Sequence, residues 1–316
     1  MYDLIIIGAG PAGMTAGIYG ARREMKTLII GAQLGGQLMW AAEIENIPGF
    51  KKIINTDYIA RMHDQVKSLN VEIKSEEVKA INKTKDAFEI ITNAGKYKAK
   101  TVVAAMGLKP RRLAIPGEEE FMGRGVSYCA NCDGPFFKNK IVAVVGGGNS
   151  ALDAAEVLSK IGKQVYLIHR RGEFRGFEVL VEEVKQRKNI KLILNSRLKA
   201  IEGGNKVNNI KIETQGDDKT RSIKVDGVFI EVGRIASTDL FIDLAERDRQ
   251  AQIIVDEKCR TKTPGLFAAG DVTNTPFKQI TIASGQATIA VLAAYEYLQL
   301  KQGKQIESFF DRGHKA

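Results

Sequence analysis

Two cysteines three residues apart, Cys129 and Cys132, sit beside Asp133 in the stretch Tyr-Cys-Ala-Asn-Cys-Asp-Gly. A pair at this spacing either does thiol–disulfide chemistry or supplies half of a zinc site. Structural zinc takes four ligands, and the remaining supply is Cys259, His63, His169 and His314, which offers no second close pair. Redox work with no metal is therefore expected. A thiolate is the attacking species in disulfide exchange, and Cys-x-x-Cys turns often favour one thiolate. Asp133 adjoins the second sulfur and is the candidate proton donor or acceptor.

The cysteine pair lies between two glycine-rich turns, and each turn follows an apolar run. The first is Gly8-Ala-Gly10-Pro11-Ala12-Gly13 after Leu4–Ile7, and the second is Gly146-Gly-Gly148-Asn149-Ser150-Ala151 after Ile141–Val145. In the first, Gly8 suits the tight turn, Gly10 the approach of a pyrophosphate, and Gly13 close helix–strand packing. Phosphates would then meet the helix N-terminus, whose free N–H groups favour an anion. The strand after the first loop ends Ile30-Gly31, with no carboxylate for a ribose. The strand after the second ends in His169-Arg170-Arg171, with Arg175 close behind. Guanidinium groups there suit the 2′-phosphate of NADPH through paired, charge-assisted hydrogen bonds. Two sites of different electrostatics imply two cofactors, a tightly held flavin and an exchangeable NADPH. Hydride would pass to the flavin and electrons on to the cysteine pair.

The elements that position these residues repeat. Strand, glycine turn, helix and strand occupy residues 3–31 and again 141–168, so two doubly wound nucleotide domains are expected. Short alternating segments over 71–103 suggest a β-meander on the first domain. Late in the chain, Gly265-Leu-Phe-Ala-Ala-Gly270-Asp271 reads as a buried strand ending in a turn, followed by an apolar-periodic helix from Ala283 to about Leu298. Paired with the first domain, that segment makes it discontinuous. The fold class expected is α/β: two Rossmann-like dinucleotide-binding domains, the second inserted into the first, with β-meanders.

Bulk properties fit this architecture. The 316 residues suit roughly two domains, and 44% hydrophobic with 27% charged residues is ordinary for a globular chain. Leu4–Ile7 follows no basic segment and is too short for a signal peptide, and no apolar run spans a membrane. An odd count of three cysteines fits a reducing, cytoplasmic setting. The net charge of +10 is spread along the chain, so an acidic partner is favoured over nucleic acid.

Taken together, the residues resemble a low-molecular-weight thioredoxin reductase from Tyr2 to about Leu298. The resemblance rests on Gly35-Gly36-Gln37-Leu38, Glu45-Asn46-Ile-Pro48-Gly49, Cys129-Ala-Asn-Cys132-Asp133-Gly134, the His169 to Arg175 cluster, and Gly270-Asp271 with Lys278-Gln279-Ile280. It implies FAD held by the first loop, Gly35–Leu38, Asn46, Asp271 and the Lys278–Ile280 segment. Residues 1–112 and 244–316 would form the FAD-binding domain, and 113–243 the NADPH-binding domain with the cysteine pair. It further implies that Cys132 faces the flavin, Cys129 attacks thioredoxin or a similar redoxin, and Asp133 is the acid. Homodimers with rotating domains are the family's pattern. The sequence departs from that pattern at Ala105-Met106-Gly107 and at Ala236-Ser237-Thr238, and Cys259 has no family role.

Alternatives share the fold. A flavoprotein reductase of a peroxiredoxin system usually carries an additional N-terminal thioredoxin-like module. A ferredoxin-fed reductase or a flavin dithiol oxidase tends to lack the cluster that Arg170, Arg171 and Arg175 supply. A non-catalytic flavin sensor gives no reason for Cys129, Cys132 and Asp133 to accompany a phosphate-binding arginine set.

Overall fold

Leu4–Ile7 are buried because the strand Tyr2–Ile7 lies parallel between two neighbours, Thr27–Ile30 and Lys96–Ala104. A strand covered on both faces reads as a continuous apolar run. The computed structural model describes residues 1–40, 43–217 and 220–304, so His314 lies outside the described residues. The chain divides into two units. One is built from Met1–Met39, Glu43–Leu108 and the chain from Ala236 onward, and the other from Lys109–Ile235.

In the first unit the strand order is Glu72–Lys74, Thr27–Ile30, Tyr2–Ile7, Lys96–Ala104, Phe88–Thr92, Val78–Lys83. On its edge away from Tyr2–Ile7, Lys96–Ala104 serves two neighbours in turn: its first residues pair antiparallel with Phe88–Thr92, and Val102–Ala104 pair parallel with Leu266–Ala268. The meander expected over 71–103 is therefore shorter. Glu72–Lys74 pairs parallel with Thr27–Ile30, because the helix Asn55–Ser68 carries the chain over as a crossover. Three residues of alternation cannot distinguish those two pairings.

The helix Pro11–Arg22 follows the first loop, and the 22-residue helix Ile280–Lys301 packs against it in one core. Ala283, Ala287, Ala290 and Ala294 recur at helical spacing and are all buried with Met14 and Ala16. Small side chains on that stripe let two helices approach closely. Among the described residues no helix is long and apolar enough to cross a membrane.

The second unit has a five-stranded parallel sheet ordered Val126–Ser127, Gly227–Glu231, Ile141–Gly146, Gln164–Ile168, Ile190–Ile193. An antiparallel trio, Ser196–Gly203, Val207–Thr214 and Arg221–Lys224, covers one part of it. The helix Asn149–Ile161 packs on it through Leu152, Ala155 and Leu158. The chain enters and leaves this unit at Leu108–Lys109 and Ile235–Ala236, a few residues before the boundaries read from the sequence. The reason is a two-residue antiparallel ribbon in which Lys109 pairs with Ile235 and Pro110 with Arg234.

A Cβ added at Gly13 would lie 1.8 Å from the Gly8 carbonyl oxygen. Backbone on backbone leaves nothing flexible to yield. Gly13→Ala is expected to destabilise the first unit by about 3 kcal/mol or more, read as a lower melting temperature.

Candidate active site

The cysteine turn hangs from the edge strand Val126–Ser127, whose Ser127 is opposite Phe229. Cys129 and Cys132 are joined in a disulfide with Cα atoms 5.3 Å apart. Cys129 precedes the single turn Ala130–Asp133, and the backbone N–H of Cys132 donates to its sulfur at 3.1 Å. That donor would stabilise a thiolate on Cys129 once the pair is reduced. Cys129 is buried and Cys132 exposed, so the sulfur that the resemblance sends to the acceptor is the covered one. Asp133 accepts a 2.6 Å hydrogen bond from Ser127 Oγ.

Two anchors flank the turn. Upstream, the buried Glu118 carboxylate accepts from Leu113 N at 2.9 Å, Ala114 N at 2.6 Å and Tyr128 Oη at 2.8 Å. Burial and then Glu118 push the Tyr128 phenol far above its ordinary value, so it stays a donor. Downstream, Phe137 packs edge-on against Phe229 with centroids 5.1 Å apart, while Phe136 is 80% exposed.

The second glycine loop lies along the same sheet. The helix Asn149–Ile161 begins after Gly148 with no side-chain cap, and a Cβ at Gly148 would meet nothing within 4 Å. Uncapped N–H groups facing open space fit a pyrophosphate. Ser150 is exposed beside them, whereas Ala151 is buried against the sheet. The basic segment is built onto this loop. Arg175 N donates to Gly147 O at 2.7 Å, and Phe177 N to Asn149 Oδ1 at 2.8 Å. His169 is buried, stacked on Phe174 at 5.5 Å, and a Cβ on Gly147 would meet its ring at 2.2 Å. Burial pulls the His169 imidazole below its ordinary value, against a bond to the Glu173 backbone, and Arg171, Arg170 and Arg175 lower it further. His169 therefore supports the loop as a neutral ring. Arg170, Arg171 and Arg175 are exposed, and Arg175 above all, then partial burial and Arg170, holds Arg171 below its usual value. Three crowded cations suit a multivalent anion chemically.

In the first unit, the helix Pro11–Arg22 likewise begins after Gly10 with proline in its first turn and no side-chain cap. Ala12 is buried beneath it, and Gly35 N donates to Ala9 O at 2.8 Å, which brings Gly35–Leu38 alongside. Gln37 Nε2 reaches Asp271 Oδ2 at 3.0 Å, and Asn46 Nδ2 reaches Gln279 Oε1 at 3.0 Å. Residues far apart in sequence thus share one rim. Leu38 is buried in a small apolar cluster against which Ile280 packs. Lys278 is turned inward, donating to Gln252 Oε1 and, at 2.7 Å, to Thr273 O. The missing ribose carboxylate has a physical cause, since a Cβ at Gly31 would meet Ala9 N at 2.6 Å.

Residues 2–287 match the family model described as pyridine nucleotide-disulphide oxidoreductase. The chain belongs to this family. A thioredoxin reductase from Treponema pallidum is 39% identical over 303 residues, 95% of this chain and 98% of that one. Among solved structures, Lactococcus lactis thioredoxin reductase gives a TM-score of 0.88 at 38% identity, covering 94% of this chain and 99% of that one. The T. acidophilum thioredoxin reductase gives 0.85 at 37%, covering 93% and 98%. Membership of the pyridine nucleotide-disulphide oxidoreductases implies a flavin and a nicotinamide nucleotide.

Four residues of this oxidoreductase were not singled out by sequence reasoning. Gln286 accepts from Gly270 N at 2.9 Å and Thr273 Oγ1 at 3.1 Å, holding the Asp271 turn. Ser127 and Glu118 fix the cysteine turn. Glu231 ends the strand Gly227–Glu231 opposite Gly146. The signal for Glu231 was a charge closing an apolar run; the other three side chains carry no local signal.

Burial pushes the Glu231 carboxyl up to about 7 from an ordinary 4.5, opposed by Arg234 and reinforced by Asp153. An unfolded chain releases this proton near 4.5, the folded chain near 7. Between those values the folded state binds the extra proton, so stability falls as pH rises through that window and levels above it. The full cost is on the order of 3 kcal/mol. Glu231→Gln is expected to flatten the melting temperature between pH 5 and about 7 and to raise it above pH 7 relative to the parent.

Proposed function

We propose that the chain is an NADPH-dependent thioredoxin reductase, with FAD at the first loop and NADPH at the second. The observation that carries this reading is the Cys129–Cys132 disulfide on the unit that also holds the arginine-lined loop. A cysteine pair there has a dithiol use, and the arginines have a 2′-phosphate use. The chain would work as a cytoplasmic homodimer, its acceptor thioredoxin or a thioredoxin-like redoxin.

Bound FAD supplies the two-electron step between the nicotinamide and the disulfide. Gly8, Gly10, Pro11, Ala12 and Gly13 would cradle its pyrophosphate, with Gly35–Leu38, Asn46, Asp271 and Gln279 along the rim. Lys278 supports that rim from within its own loop. Gly146, Gly148, Asn149, Ser150 and Ala151 shape the NADPH loop, His169 props it, and Arg170, Arg171 and Arg175 grip the 2′-phosphate.

In the reduced chain Cys129 attacks the acceptor's disulfide. A mixed disulfide forms, the acceptor's S–S bond breaks, and the departing sulfur takes a proton delivered by Asp133. Cys132 then attacks the Cys129 sulfur, which re-forms the Cys129–Cys132 bond and releases the second acceptor sulfur, protonated in turn. Two electrons have passed from the pair to the acceptor. Because Cys129 is buried, the acceptor must be met by an uncovered turn, and exposed Phe136 offers an apolar contact beside it. A ferredoxin-fed reductase or a dithiol oxidase would leave Arg170, Arg171 and Arg175 without a use.

Anaerobic mixing of the flavin-loaded protein with NADPH is expected to bleach the flavin band quickly, and with NADH slowly. Bleaching by neither would overturn the NADPH assignment. Changing Arg170 and Arg171 together to alanine should raise KM for NADPH roughly a hundredfold, from about 3 kcal/mol of lost charged hydrogen bonds, and leave NADH untouched. Cys129→Ser should keep flavin reduction by NADPH and abolish thioredoxin reduction.

A further inference from the structure

We infer that Ser127 is the positioning residue for the acid of the exchange reaction, aiming the Asp133 carboxyl through its side-chain hydroxyl. The inference rests on the proposed exchange chemistry, and it concerns a residue outside the Cys-x-x-Cys-Asp motif.

The geometry is specific. Ser127 is 5% exposed and ends the edge strand of the parallel sheet. Its hydroxyl oxygen is 2.6 Å from Asp133 Oδ2, 3.0 Å from Cys129 N and 3.3 Å from Cys129 O. A serine hydroxyl has one hydrogen to give and two lone pairs to receive. Cys129 N–H fills one lone pair. The single hydrogen goes to the closer partner, the Asp133 carboxylate, where it makes a charge-assisted bond. One side chain thus ties the carboxyl of Asp133 to the backbone of the attacking cysteine, and the strand fixes both.

The same arrangement works when Asp133 carries its proton. The Asp133 O–H can donate to the second lone pair of Ser127, whose own hydrogen then turns to Cys129 O. The Ser127 hydroxyl and Asp133 Oδ2 stay hydrogen-bonded to each other in both states, so the carboxyl holds its direction before and after the proton leaves. In a part-buried turn, that matters because an unpartnered polar group is costly. Glu118 and Tyr128 restrain the chain just ahead of the turn, whereas Ser127 touches the acid itself. A role confined to holding the fold would not depend on what Asp133 is.

A double-mutant cycle separates the two possibilities. The chain is reduced beforehand and mixed rapidly with oxidised thioredoxin, for the parent, Ser127→Ala, Asp133→Ala, the double variant and Ser127→Thr. Expected are a loss of about tenfold in exchange rate for Ser127→Ala, part of the hundredfold or more that a general acid supplies; recovery in Ser127→Thr, which keeps the hydroxyl; and a double variant no slower than Asp133→Ala alone. Losses that multiply, or no loss in Ser127→Ala, would overturn the inference while leaving the reductase reading intact. Should the parent itself fail to exchange with thioredoxin, the reductase reading falls, and a second measurement still decides the role of Ser127. The infrared carboxyl bands assigned by difference against Asp133→Ala should shift in Ser127→Ala and return in Ser127→Thr. Bands that do not move would show that the hydroxyl does not hold the carboxyl.

Discussion

Parallel pairing in the second unit is the constraint on which its chemistry depends. Val126–Ser127, Gly227–Glu231, Ile141–Gly146 and Gln164–Ile168 all run the same way. Their C-terminal ends therefore lie along one edge of one sheet, where ligands of open α/β sheets bind. From that edge emerge the cysteine turn, Glu231, the second glycine loop and the arginine segment. Reversing any one strand would send the groups at its C-terminal end to the opposite end of the sheet. Nothing else in the unit needs to bring these groups together, and the remaining interactions adjust angles.

Those adjustments come from side chains that are wholly or partly covered. Asn149 spends its carbonyl on the Phe177 N–H, and His169 fills the space that Gly147 leaves open. The exposed arginines can then stay crowded, because the loop beneath them is held by hydrogen bonds and stacking and not by counter-charges. Ahead of the cysteine turn, the buried Glu118 carboxylate performs a similar service, accepting from Leu113 N, Ala114 N and Tyr128 Oη. The exposed charge at this loop is held in place by packing and hydrogen bonds.

The sequence carried a great deal of this. Both glycine loops, the long strands beside them, the late helix and the cysteine pair are local patterns, and local patterns are legible because a strand, turn or helix is set by neighbours in the chain. What escaped was set by neighbours in space. Gln286 meets Gly270 across sixteen positions, and Ser127 meets Asp133 through an oxygen that any serine carries. Glu72–Lys74 was too short for its alternation to choose between parallel and antiparallel partners. His169 and Asn149 were found by position, yet their burial and bonding give them supporting parts that composition could not reveal.

The ribbon pairing Lys109 with Ile235 and Pro110 with Arg234 has a consequence for how such a chain is assembled. The inserted unit leaves and returns at adjacent points, so to the first unit it amounts to a hairpin of negligible span. The first unit's strands before and after the insert can find one another without a large loop-closure penalty once the second has folded. With the insert's ends held together, Leu266–Ala268 joins a sheet whose partner residues Val102–Ala104 precede the whole insert.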